Sequence, residues 1–222
     1  MIATTLPIKL SDVCLELYGS SSTVGRSLSQ AFTDATGTFD ATYESINGYR
    51  NSLQNFRGYK HIFTAIVYVA SIPNTTGMIN PTNIIGAGNE NYMCYDIAGN
   101  GFTYWTLQLQ SFSIPVGATI IASQLYTKAY SNTSSAIGEE AHTINDSVGT
   151  FIAQYGILPT IDARLTTIAT SYDTGYSTPT PIALTVAKAN AGLILQPGWA
   201  NRNSITARVC TDYYKYQLWW TV

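Results

Sequence analysis

The 222-residue chain is 11% charged, with a formal net charge of −2 and a pI near 5.6. Neutralising phosphates takes clustered Lys and Arg, and the eleven basic residues are scattered, which excludes a nucleic-acid partner. No apolar run reaches the roughly 20 residues that cross a bilayer, which excludes a membrane span, and the length suffices for a core without disulfide staples.

A soluble domain ordinarily has about a quarter of its residues charged. Here the stretch between Lys60 and Lys128 holds only Glu90 and Asp96, among many Tyr, Thr, Asn, Gly and Ile. That surface suits a β-rich domain that meets other proteins or glycans, because contact surfaces are poor in Lys and Glu and rich in Tyr and Trp. The opening MIATTLPIKLSD lacks the basic segment and apolar core of a secretory signal. The expectation is therefore a protein built inside a cell and released in a particle.

In chain order, Ser11 reads as the N-cap of a short helix carrying Val13, Cys14 and Leu17. Asp12 suits its dipole and Gly19 its C-cap. A second helix is expected from Ser27, which has capping-box spacing to Gln30. Leu28, Ala31, Phe32 and Ala35 share its apolar face, and Gly37 ends it. Helices this short must pack onto something, and the aromatic-rich segment 38–60 is expected to fold back over them.

From His61 the signal changes to strands, expected at 61–72, 91–98, 102–114, 118–131, 181–189, 204–210 and 213–222. They are rich in β-branched and aromatic residues, and Gly/Pro turns separate several of them. Between them, residues 137–154 read as a helix or a loop. Many short strands and few helices point to a mainly β fold, an antiparallel jelly-roll-like sandwich over 61–222, preceded by a small helical anchor over 1–60. Cys14, Cys94 and Cys210 lie far apart without metal-type spacing and are expected as reduced core residues.

Two segments carry resemblances. Ile8-Lys9-Leu10-Ser11-Asp12-Val13-Cys14-Leu15-Glu16-Leu17-Tyr18-Gly19, then Thr38-Phe39-Asp40-Ala41-Thr42-Tyr43, then Leu53-Gln54-Asn55-Phe56-Arg57-Gly58-Tyr59 resemble the N-terminal segment of structural proteins from crAss-like tailed phages of Bacteroidetes hosts. The resemblance implies a virion protein whose N-terminal module docks into a particle. It makes Ile8, Leu10, Val13, Cys14, Leu17, Phe39, Tyr43, Phe56 and Tyr59 the docking candidates. The run from Phe112 to Tyr126, FSIPVGATIIASQLY, is similar to a strand–turn–strand element of jelly-roll domains on bacterial surface proteins and carbohydrate-binding modules. It speaks to fold more than to ligand.

For chemistry the sequence offers little. Glu139-Glu140-Ala141-His142 with Asp146 could hold a divalent cation if the segment folds back, or could be an ordinary solvated face. Glu90 and Asp96 could be paired carboxylates of a glycosidase, but nothing raises the pKa of either. With two histidines, no G-x-S-x-G and no phosphate-cradling glycine loop, no catalytic set, cofactor or metal is expected. Aromatic side chains remain. Trp199, between Pro197-Gly198 and a polar run, reads as an exposed loop residue suited to a sugar face. Tyr214, Trp219 and Trp220 are further candidates for glycan or subunit contact, with Trp219 and Trp220 on opposite faces of a strand. The expected function is a non-enzymatic structural protein on the outside of a tailed phage particle, a head fibre or decoration protein. The alternative is a tail-fibre adhesin or carbohydrate-binding module. The expected partners are capsid or other virion proteins, further copies of the chain, and a host-surface glycan.

Overall fold

The computed structural model describes residues 2, 8–37, 39–43, 52–131, 137–139, 142–155, 168–170, 184–201 and 204–222. It falls into two compact units, one made of Met1–Thr64, Gly117–Thr119 and Trp219–Val222, the other of Ala65–Val116 and Ile120–Leu218. The sequence reading instead placed a single division after residue 60.

The first unit holds two short helices, α1 (Leu10–Tyr18) and α2 (Leu28–Asp34), and a 3-10 turn at Leu53–Phe56. Helix α1 starts one residue before the expected Ser11 cap. Lys9 takes the cap position, and its N–H donates to the Asp12 carboxylate at 2.8 Å. Gly19 closes the helix in the left-handed conformation (φ 68°), which costs glycine nothing. Ser27 caps α2 through its hydroxyl, which accepts from the Gln30 N–H.

Segment 38–60 does fold back where it is described. Phe39, Phe56 and Tyr59 pack with Phe32, the closest ring pairs being Phe32–Phe56 and Phe39–Tyr59 at 4.6 Å. Tyr59 is fully buried; its hydroxyl accepts from the Gly37 N–H at 2.8 Å and hydrogen-bonds to His61 Nδ1 at 2.9 Å. The His61 N–H donates to the Glu16 carboxylate. Cys14 is buried as a free thiol.

The remaining elements are β1 (Phe63–Ser71), β2 (Met78–Ile79), β3 (Met93–Ile97), β4 (Phe102–Tyr104), β5 (Leu107–Leu109), β6 (Thr119–Ser131), β7 (Ile137–Glu139), β8 (His142–Asp146), β9 (Phe151–Tyr155), β10 (Ile168–Thr170), α3 (Val186–Ala191), β11 (Leu193–Gln196), β12 (Gly198–Asn201) and β13 (Ala207–Thr221). Ten strands form one sheet, running β10-β6-β13-β1-β5-β11-β8-β9 with β3 on β13 and β2 on β3. A small sheet runs β4-β12-β7. Side chains of the large sheet are buried in the core of the β unit. The His142 ring of β8 lies 5.5 Å from the Tyr214 ring of β13, and Leu107, Leu125, Ile144, Leu193, Leu195 and Val209 are fully buried around them. The chain is thus mainly β and antiparallel, as its composition implied.

Four expectations are corrected. Within 137–154, read as a helix or a loop, the described residues form strands β7, β8 and β9 with a turn between the last two, while 140 and 141 lie outside the described residues. Asp146 makes the β8–β9 turn, its carboxylate accepting from the Val148 and Thr150 N–H groups. Of the expected strand 181–189, residues 181–183 lie outside the described residues and the rest is not a strand, since α3 begins at Val186, capped by the Thr185 hydroxyl. The stretch before Pro115 is not a ladder strand. It is held by the Asn190 side chain, which accepts from the Ile114 N–H and donates to the Ile114 C=O. Cys94 and Cys210 are not reduced. They face each other across β3 and β13 and form a disulfide.

Candidate binding site

A cleft of about 290 Å³ lies beside β4 in the β unit. Its position follows from the small sheet. β12 runs between β4 and β7, and its registry sets Gly198 opposite Tyr104 and Trp199 opposite Thr103. All four β12 residues are buried. Asn201 anchors its end, donating to the carbonyls of Ile97, Ala98 and Ile205 at 2.7–3.1 Å. A burial this complete makes β12 a rigid backing for the strand it carries.

On that backing, β4 contributes Thr103 and Tyr104 to the cleft, and the chain continues through Trp105 and Thr106. Tyr104 is 60% exposed and stands edge-on to Phe102, 4.1 Å between ring centroids. Trp105 is buried, its ring centroid 5.8 Å from Tyr95 and 6.4 Å from Trp199. The opposite wall is Tyr95 of β3, Met78 of β2, and Asn74 and Thr76 of the turn before it. That turn is built by Asn74, whose side-chain oxygen accepts from the Thr76 N–H at 2.9 Å, and by Gly77 at φ 76°. A side chain at Gly77 would press on the Tyr95 ring, 3.0 Å away, so glycine is needed there for both backbone and space.

Among the described residues, no charged side chain lines the cleft. The nearest in sequence, Asp96, is bound by Arg208 through two hydrogen bonds of 2.6 and 2.8 Å. That guanidinium holds the Asp96 carboxyl below its ordinary pKa. A carboxylate kept ionised in this way is unsuited to the proton-donating role of a glycosidase pair. Glu90 is itself an exposed partner of Lys128, at 3.1 Å.

Trp199 is fully buried in β12, not on a loop. Its Nε1 donates to the Tyr214 hydroxyl at 3.1 Å, so the pair braces the core and neither ring is open to a ligand. Trp220 is buried and stacks on Phe63 at 6.1 Å, while Trp219 beside it is partly exposed, the opposite-face arrangement expected of neighbours in a strand. Of the docking candidates, Ile8, Val13, Cys14, Leu17, Phe56 and Tyr59 are buried inside the first unit; Leu10, Phe39 and Tyr43 are partly exposed, and Arg57 lies over the Tyr43 ring. In the suspected cation cluster, His142 is buried between Trp199 and Tyr214, and its Nδ1 accepts from the Gly198 N–H. Glu140 lies outside the described residues, and the backbone of Glu139 is paired in β7. The cleft itself went unread in the sequence. Its residues come from three separate segments, 74–78, 95 and 103–106, which no local pattern in the sequence joins.

No family model matches the chain, and no curated protein does. Among solved structures, the chain is similar to the carbohydrate-binding module TmCBM61 in complex with beta-1,4-galactotriose. Identity is 10%, covering 69% of this chain and 86% of that one, with a TM-score of 0.32. It is also similar to a chain of infectious bursal disease virus, Gt strain, at 9% identity and a TM-score of 0.28. There the match covers 72% of this chain and 40% of the viral one, so this chain spans less than half the viral chain's length. At these TM-scores neither likeness carries an argument about what this chain binds or builds.

Proposed function

We propose that this chain is a non-enzymatic structural protein on the outer surface of a tailed phage particle, a head fibre or decoration protein docked through its N-terminal segment. The observation that carries the reading is the first unit. The three stretches that resemble phage structural proteins supply its interior, where Val13, Leu17, Phe56 and Tyr59 are buried together. A docking module has to hold its own shape before it meets a particle. The buried residues set that shape, and the outward side chains, such as Leu15 at 56% exposure, are left to make the contact. The partly exposed Trp219 is a candidate for contact between copies.

A second reading, an adhesin or glycan-binding module, is favoured by the cleft beside β4, whose walls combine aromatic rings with neutral hydrogen-bonding groups. Immunogold electron microscopy of purified particles, with an antibody against residues 65–222, separates the two. Label over the head is expected. Label confined to the tail transfers the protein to adhesion, and no label on intact particles overturns the surface reading.

A further inference from the structure

We propose that the cleft beside β4 is a subsite for a neutral saccharide, one or two sugar units long. The proposal rests on the glycan-binding reading and names its site and its ligand class.

The lining decides the class. A pyranose offers an apolar C–H face and a rim of hydroxyls, so its site needs a ring to lie against and short neutral donors and acceptors around it. Tyr104 supplies a ring of which most is open to solvent, and Tyr95 a second on the facing wall. Asn74, Thr76, Thr103 and Thr106 are the neutral polar residues that border the cleft. The Asn74 amide is already oriented, because its oxygen is taken by the Thr76 N–H, which leaves the Nδ2 group to donate. Preorganised groups lose little freedom on binding, the usual route to affinity in a shallow site.

The same lining excludes other occupants. A sialic acid, a uronate or a phosphate asks for Arg, Lys or a helix N-terminus, and among the described residues none borders the cleft. The nearby guanidinium of Arg208 is engaged by Asp96, and Asp96 follows Tyr95 on β3, so the two project to opposite faces. A purely apolar ligand would leave four neutral polar side chains without a purpose. At about 290 Å³ the cleft sits at the lower edge of ligand-site volumes, roughly 300–1,000 Å³, which fits a short saccharide end and not a long buried chain.

The test is an NMR titration of the full chain with maltose, cellobiose, lactose and mannobiose, and separately with 3′-sialyllactose and digalacturonate. The indole N–H resonance of Trp105 is the reporter. At least one neutral disaccharide is expected to shift that resonance at millimolar concentration, while the two acidic probes shift it less or not at all. Tyr104→Ala truncates a mostly exposed side chain and is expected to weaken binding about tenfold, as loss of one aromatic contact does. Asn74→Ala provides a second variant that does not depend on the first folding well. Binding of neutral sugars that survives both variants overturns the site while leaving the glycan-binding reading standing. Preference for the acidic probes overturns the ligand class. No response to any probe overturns both the subsite and the glycan-binding reading, and leaves the particle-surface reading to the electron microscopy.

Discussion

The two units of this chain reach stability by different routes. The N-terminal unit has little regular structure, and aromatic rings within about thirty residues of one another hold it together: Phe32, Phe39, Phe56 and Tyr59, with backbone donors tied to side chains by Gly37 and His61. The β unit depends on partners far apart in sequence, such as Cys94 with Cys210 and His142 with Trp199 and Tyr214. Short range makes the first unit easy to read and easy to perturb locally. Long range makes the second hard to read and resistant to any change that leaves its registers intact.

The sharpest way to break this contrast is Trp199→Ala. It empties a fully buried site and removes the donor to the Tyr214 hydroxyl, so a loss of about 3–5 kcal/mol is expected. Chemical denaturation followed by tryptophan fluorescence measures it. A cost under about 1 kcal/mol would mean the β core repacks freely and its long-range contacts are not what hold it.

Reduction is the next largest test. The Cys94–Cys210 bond joins residues 116 apart, and cross-links over loops of this length contribute about 2–5 kcal/mol. Dithiothreitol is expected to lower the denaturation midpoint of the β unit and leave the aromatic cluster of the first unit unaffected, because the thiol of Cys14 is already free. Mass spectrometry after alkylation gives the cysteine count directly.

In the N-terminal unit the contrast can be read through pH. Burial pushes Tyr59 up from 10.0 to about 12. Because the folded pKa lies above the unfolded one, the stabilisation is complete below pH 10 and is lost as pH rises from 10 towards 12. A rise of that size is worth at most about 2–3 kcal/mol. At the acid end, burial holds His61 below its usual 6.5, with Glu16 opposing the shift. The unfolded chain then binds the proton more readily, so stability falls as pH drops below about 6.5 towards the depressed folded value. Tyr59→Phe is expected to flatten the alkaline limb, as followed by the circular dichroism of thermal melts at each pH.

The smallest expected effect is Ser27→Ala, which removes the cap of α2 at about 1 kcal/mol. A larger loss would show that the short helix, and not the ring cluster, holds the unit.

What could be read from the sequence follows this division. Helices α1 and α2 were legible through the Gly19 stop and the Ser27 cap, which are local signals, although Lys9 and not Ser11 caps α1 and α2 ends at Asp34, before the expected Gly37. So were β1, β3 and β6, whose β-branched and aromatic composition is a property of the strand itself. Trp199 was misread because Pro-Gly before it and Asn-Arg-Asn after it are loop chemistry, whereas Asn201 spends its amide on three backbone carbonyls and turns a polar residue into an anchor. The disulfide was missed because cysteine spacing says nothing about the register of β3 on β13. Residues 137–154 were read as helix or loop because their polar run carries no strand signal of its own. The ladder contacts that make them β7 and β8 come from β12 and β11, far along the chain.

β13 is fifteen residues long; it runs between β6 and β1 in the sheet and also carries β3. Three strands made earlier on the ribosome therefore wait with open hydrogen-bonding edges until residues 207–221 emerge. Open edges of this kind recruit other chains. A ribosome-held chain stopped near residue 200 should accordingly be a strong client for chaperones that shield nascent β-strands, and one stopped well past residue 221 should not.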